Sequence, residues 1–195
     1  MATTPTQTLV LYAHPFPSRS SVTRALRDTL IEQPGVQVRD LYALYPDFDV
    51  DIAAEQQALL QADLIVWLTP VYWYSVPALM KHWFDQVLCH GWAYGHGTQA
   101  LQGKTAWWVC SAGAPEQAYG PAGQHGQPFE AFTSPIEQLA RYCGMRSLPS
   151  WVVHGGHSLS TQALQSAQDS LQAQWQEHAH TAATTQSATH TGSPT

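Results

Sequence analysis

Charge is the scarcest commodity in this sequence: Asp, Glu, Lys and Arg together make up 11% of 195 residues. The eight Lys and Arg are scattered and the net charge is −6, which leaves nucleic-acid binding without the clustered cations it needs. Cysteine is sparse too. Cys89, Cys110 and Cys143 are odd in number and far apart, so they form no disulfide framework and read as small buried thiols of a reducing cytoplasm. No apolar run reaches the length of a membrane span. The opening residues, Met1 to Pro5, lack the basic-then-apolar build of a signal peptide, so a cytoplasmic protein is expected. Gly-x-Gly-x-x-Gly is missing, which argues against a Rossmann-type dinucleotide site, and without Gly-x-Ser-x-Gly serine hydrolase chemistry has no support.

Aromatics, by contrast, are plentiful, with eight Trp and eight Tyr. Many Trp beside little charge points to apolar surface kept for a binding site, a subunit interface or both. The length suits one domain with a single sizeable core. Strands are predicted at 8–13, 36–41, 64–68, 104–110 and 148–153. The third, Leu64-Ile65-Val66-Trp67-Leu68, is apolar at every position, as a strand covered on both faces should be. Helical spacing marks Val22 to Leu30, Asp49 to Gln61, Val76 to Val87 (with Ser75 as N-cap), Phe132 to Tyr142 and Leu159 to about Glu177. Strands alternating with helices predict an α/β fold: a doubly wound, five-stranded parallel sheet in the flavodoxin-like order 2-1-3-4-5, with helices on both faces. Residues 1–178 form that domain in this reading, and 179–195, dominated by Ala, Thr, Ser and His, form a disordered polar tail.

In such a fold ligands sit beyond the carboxyl ends of the strands, and the loops there carry the unusual residues. After strand one, a turn containing Ser20 and Ser21 leads directly into a helix, whose free N–H groups and positive dipole end suit a phosphate. An ordinary serine N-cap is the plainer alternative. After strand three comes Thr69-Pro70-Val71-Tyr72-Trp73-Tyr74-Ser75-Val76-Pro77. Three consecutive aromatics cannot all face one core, so a flat apolar ligand or a subunit interface accounts for them. After strand four, Ser111-Ala112-Gly113-Ala114-Pro115 carries only small side chains and lets backbone approach a ligand. It continues into a long Gly- and Pro-rich stretch whose proton-handling side chains are Tyr119, His125, Glu116 and Glu130. The pairs His154 with His157 and His90 with His96 match no zinc spacing, so no metal site is expected.

The run Leu11-Tyr12-Ala13-His14-Pro15 with Ser20 resembles the opening of the NAD(P)H quinone reductase family of flavodoxin-like proteins. Asp63 to Trp67, Pro70, Trp73-Tyr74-Ser75-Val76-Pro77, Lys81-x-Trp83-Phe84-Asp85 and Gly91-Trp92-Ala93-Tyr94-Gly95 resemble its central block. Leu44 to Phe48, Asp51 to Gln56 and His90 to Gly97 are most similar to the ancillary flavoproteins of glutathione-gated potassium efflux systems. The resemblance implies an FMN-binding homodimer that reduces quinones with NADH or NADPH by ping-pong hydride transfer. It also implies, as an alternative role, a regulatory subunit docking on a potassium efflux antiporter at the membrane's inner face. Carried over by position, His14, Ser20, Ser21, Val22 and Thr23 would hold the phosphate and ribityl end of FMN. Val71, Tyr72, Trp73 and Tyr74 would lie along the ring, and Ser111, Ala112, Gly113 and Ala114 would meet its other edge. Tyr119 and His125 would be the catalytic pair.

Overall fold

A computed structural model of the chain describes residues 6–97 and 100–190. The order is β1 (Thr8–Tyr12), α1 (Val22–Ile31), β2 (Val36–Asp40), α2 (Leu41–Leu44), α3 (Ile52–Gln61), β3 (Leu64–Pro70) and α4 (Ala78–Val87). There follow β4 (Thr105–Ser111), α5 (Glu130–Tyr142), β5 (Arg146–Ser147), β6 (Trp151–Val153) and α6 (Thr161–His190). All strand pairs are parallel, in the order β2-β1-β3-β4-β5, and β6 pairs with β4 further along the same edge. Of the fifth strand expected at 148–153 only Trp151–Val153 is strand; β5 lies before it at Arg146–Ser147, and Leu148-Pro149-Ser150 separates the two where proline removes a ladder donor.

Period-two alternation sorts the central strands onto two faces. Leu9, Leu11, Ile65, Trp67 and Trp108 pack under α3, α4 and α5, while Val10, Tyr12, Leu64, Val66, Leu68 and Trp107 pack under α1 and α6. The neighbours Trp107 and Trp108 therefore enter opposite cores. Each finds an acceptor for its indole N–H, Pro149 O at 3.1 Å and Thr69 Oγ1 at 3.0 Å. On the first face a fully buried carboxylate, Glu55, joins α3 to its neighbours. It takes hydrogen bonds from Arg39, from the Tyr45 hydroxyl and from Trp83 Nε1, and burial with this carboxylate pushes the Tyr45 phenol up to about 12. Lys104 donates to the Leu60 and Ala62 carbonyls at the end of α3, satisfying groups a helix terminus leaves open.

Three predicted details differ. Ser75 is not the cap of α4: the helix starts after Pro77, and Ser75 instead closes a backbone turn with Tyr72. Asp51, not residue 49, starts α3, its carboxylate accepting from the Ala54 N–H at 3.0 Å. The tail expected from residue 179 begins inside a helix: α6 runs to His190, Ala179 and Ala182 are buried in the second core, and the Ala179 carbonyl accepts from Thr6 Oγ1. Small alanines let that last stretch lie close to the sheet, which apolar periodicity alone does not reveal. Residues 191–195 of the expected tail lie outside the described residues.

Candidate functional site

A cavity of about 530 Å³ opens at the carboxyl ends of β1, β3 and β4. It is lined at one end by His14, Arg19, Ser20, Ser21, Val22 and Thr23, along one side by Pro70, Val71, Tyr72 and Trp73, and opposite by Ser111, Gly113, Gly156 and His157. Its size suits a small organic ligand.

The first end is a helix start with its groups in order. Ser20 Oγ accepts from the Arg24 N–H at 3.1 Å and lies 2.6 Å from Thr23 Oγ1. Ser21 takes the cap position without a side-chain bond, so the serine that ties down the first turn is Ser20. The N–H groups of Val22 and Thr23 have no intrahelical acceptor, as at any helix start, and face an anion site by the same geometry. His14 Nδ1 accepts from the Phe16 N–H at 3.0 Å, which leaves Nε2 as the protonated nitrogen of the neutral ring. Burial lowers the His14 pKa, with Asp40 pulling weakly the other way, so the ring favours that neutral form. Arg19 supplies a cation.

The aromatic side is built differently. Tyr72 and Ser75 exchange both backbone hydrogen bonds at 3.0 Å, closing a two-residue turn around Trp73 and Tyr74. Both central residues have positive φ, 49° and 62°, the pattern that Asn-Gly normally occupies. Bulky side chains there cost on the order of 1–3 kcal/mol each and persist only where surroundings hold them. Trp73 is 91% exposed, whereas Tyr74 packs on Phe132 with ring centroids 4.7 Å apart. The Val71 N–H is tied to Ser111 O at 2.8 Å, which fixes the two sides relative to each other.

The small-residue loop is held from β6. Ala112 donates to Val153 O, Gly156 to Ala112 O and Gly155 to Ala114 O, each at 2.9 Å. A Cβ on Gly113 would come within 2.4 Å of His157 Nε2, so glycine is what lets that imidazole lie against the loop. Beyond it, Tyr119 stacks on His125 at 4.5 Å, and His125 Nδ1 lies 3.3 Å from the Tyr74 hydroxyl.

Of the sequence-predicted residues, His14, Ser20, Ser21, Val22, Thr23, Val71, Tyr72, Trp73, Ser111 and Gly113 line the cavity. Ala112 is buried behind it, and Ala114, like Ala112, uses its carbonyl to hold the β6 turn. Tyr74, Tyr119 and His125 form a neighbouring aromatic cluster rather than part of the lining. Sequence reasoning missed Arg19, Pro70, Gly156 and His157 as lining residues. The signal for the last two was available, since the rule that ligands lie at strand carboxyl ends applies equally to His154-Gly155-Gly156-His157.

A family model described as "Flavodoxin-like fold" matches residues 6–179. The chain belongs to this flavodoxin-like family. Over 146 residues it is 47% identical to the glutathione-regulated potassium-efflux system ancillary protein KefF of Enterobacter sp. (strain 638), covering 75% of this chain and 82% of the relative. That likeness, with those below, places it among the NAD(P)H quinone reductases of the family, beside the potassium-efflux ancillary proteins. Among solved structures, general stress protein 14 of Treponema denticola, in complex with FMN, superposes with a TM-score of 0.80 at 33% identity, over 90% of this chain and 99% of the other. An NADPH-quinone reductase from P. pentosaceus gives 0.77 at 32%, over 85% and 95%. A structure named as a thermophilic tryptophan halogenase from Streptomycin violaceusniger gives 0.81 at 39%, over 84% and 95%. In this flavodoxin-like chain the cavity falls at the switch point between β1 and β3, where the fold places its ligands.

Proposed function

We propose that this protein is an FMN-dependent NAD(P)H:quinone oxidoreductase in which donor and acceptor use one slot in turn. The observation that carries the reading is one cavity joining a helix start able to hold phosphate to a flat slot between an aromatic turn and a glycine loop. The residues present fit FMN. Val22 and Thr23 offer free N–H groups, Ser20, Ser21 and Thr23 offer hydroxyls, and Arg19 offers charge at the phosphate end. At the ring end, Gly113 leaves room for the His157 imidazole to lie against the loop. The FMN-bound relative and the quinone reductase relative support the cofactor and the reaction class.

Bound FMN would supply the redox chemistry, two-electron transfer between reduced nicotinamide and a quinone. The chain's part is to bind, orient and manage protons. His14 and the α1 start would fix the phosphate, Val71 to Trp73 would shape one side of the slot, and Tyr119 with His125, in the aromatic cluster beside the lining, would be the proton-handling pair. Burial, with Cys110 and Tyr74 adding to it, raises the Tyr119 phenol pKa, so this group remains a donor at neutral pH. The exposed Trp73 supports a homodimer in which a second copy covers the turn. No helix among the described residues is long and apolar enough to cross a membrane.

Steady-state rates over a grid of NADPH or NADH against quinone test the reading. Parallel double-reciprocal lines are expected of FMN-loaded protein; intersecting lines would contradict the shared slot, and failure to take up FMN would contradict the whole proposal. The 47% likeness to KefF favours a second role, docking on a glutathione-gated potassium efflux antiporter. Co-purification with such an antiporter by a variant that cannot turn over quinone would establish docking as separate from catalysis.

A further inference from the structure

Two buried imidazole nitrogens in the described residues have no hydrogen-bond partner, His125 Nε2 and His154 Nδ1. They belong to rings that both lie against Tyr119. His125 stacks on that ring at 4.5 Å with an interplanar angle of 27°, and His154 lies 5.1 Å from it at 54°. Phe129 closes the group edge-on, 5.1 Å from Tyr119 and 5.0 Å from His154. A buried unpaired polar atom costs about 1–3 kcal/mol, and a fold keeps two beside one phenol only where something offsets them.

We propose that His154 is a positioning residue that completes, with His125, an imidazole bracket around Tyr119 and so sets how the proton-handling pair meets the cavity. This rests on the reading of Tyr119 and His125 given above, and adds to it a residue from a different part of the chain. His154 does not line the cavity. It stands at the end of β6, where Ala112 donates to Val153 and Gly155 and Gly156 donate back to Ala114 and Ala112. The stretch that lines the slot and the stretch that supports Tyr119 are therefore fastened to the same turn. Displacing the His154 ring releases Tyr119 on one side and disturbs the glycine loop on the other.

The charged and titratable groups facing this bracket come from four parts of the chain. Glu116 lies on the loop after β4 and Glu130 at the start of α5, both drawing the His154 pKa up, as does the Ala114 carbonyl. Burial outweighs them and lowers it, which favours the neutral ring. Tyr119 is influenced in turn by Cys110 at the end of β4 and by Tyr74 from the aromatic turn. Below neutrality, protonation of His154 places a cation against the Tyr119 ring, within the influence of Glu116 and Glu130, changing the pair's proton affinity without touching FMN.

The test uses full-length FMN-loaded protein and the variants His154→Phe, His154→Gln and Tyr119→Phe. His154→Phe keeps a flat ring between Tyr119 and Phe129 but removes both nitrogens. Flavin reduction by NADPH, followed by stopped flow across pH, is expected to slow about 10-fold in His154→Phe and to lose its acidic limb, with FMN affinity unchanged. A readout independent of turnover is the imidazole NMR titration of His154 without added FMN. It should titrate below an ordinary exposed histidine in the wild type and shift when Tyr119 becomes Phe. Wild-type rate and pH profile in both His154 variants, with Tyr119→Phe slowed, would overturn the role of His154 alone. Wild-type rates in Tyr119→Phe would instead overturn the parent reading. An unshifted His154 titration in Tyr119→Phe would overturn the bracket itself.

Discussion

The two ends of the cavity are built by opposite means. At the α1 end every feature is locally satisfied: Ser20 ties the first turn, His14 accepts from Phe16, and the free N–H groups are those any helix start leaves. At the other end Trp73 sits at positive φ in the lining, and in the aromatic cluster beside it Tyr74 does the same and two imidazole nitrogens next to Tyr119 lack partners. The first end reads as a preformed anion cradle that stability and binding both favour. The second spends stability on geometry, as sites that handle substrate tend to do.

The sharpest way to break this contrast is Gly123→Ala. A Cβ there would meet Ala118 O at 2.3 Å, a backbone atom that also accepts from the His125 N–H at 2.9 Å. The loop holding Tyr119 and His125 must then shift, and flavin reduction should fall by more than about 10-fold while FMN affinity holds. Equal losses of both would mean the two ends are not separable. Ser20→Ala attacks the cradle. Calorimetry should show FMN binding weakened by about 10-fold, or 1.4 kcal/mol, with the reduction rate of bound FMN preserved.

Smaller in size but opposite in sign is Trp73→Asn. Asparagine tolerates positive φ, and the lost side chain was 91% exposed, so denaturant unfolding should show a gain of about 0.5–1 kcal/mol alongside slower quinone turnover. A loss of stability would show the turn is not strained. The mildest effect is on pH. His14, His154 and His178 all have folded-state pKa values lowered by burial from 6.5. The unfolded chain therefore binds protons first, so their contribution is complete above about pH 6.5 and declines as pH falls towards the lowered values. Thermal melts should show this decline, and FMN should blunt the His14 share because its phosphate favours the protonated ring.

The same contrast governs what the sequence revealed. Strand order, both faces of the sheet and the α1 cradle follow from short-range signals: an all-apolar β3, period-two alternation, serines before a helical stripe. The loops that carry most of the lining were found that way, while His14, Val22 and Thr23 came only from the family resemblance. Ser75 misled because a serine before a helix usually caps it, whereas here the turn needed its backbone. Gly156 and His157 follow the last strand and so fell under the same carboxyl-end rule, but the pairing of β6 with β4, across more than forty residues of chain, is what brings them to the slot. The orphaned nitrogens of His125 and His154 are likewise a product of tertiary packing that no local spacing encodes.

The central claim is that this cavity takes a flavin with its phosphate in the α1 cradle. Titration of apoprotein with FMN and with riboflavin, which differ only by that phosphate, tests it directly. The account predicts FMN binding tighter by about 100-fold, or roughly 2.7 kcal/mol, with that preference cut to about 10-fold in Ser20→Ala. Equal affinity for the two, or a preference untouched by Ser20→Ala, would contradict it.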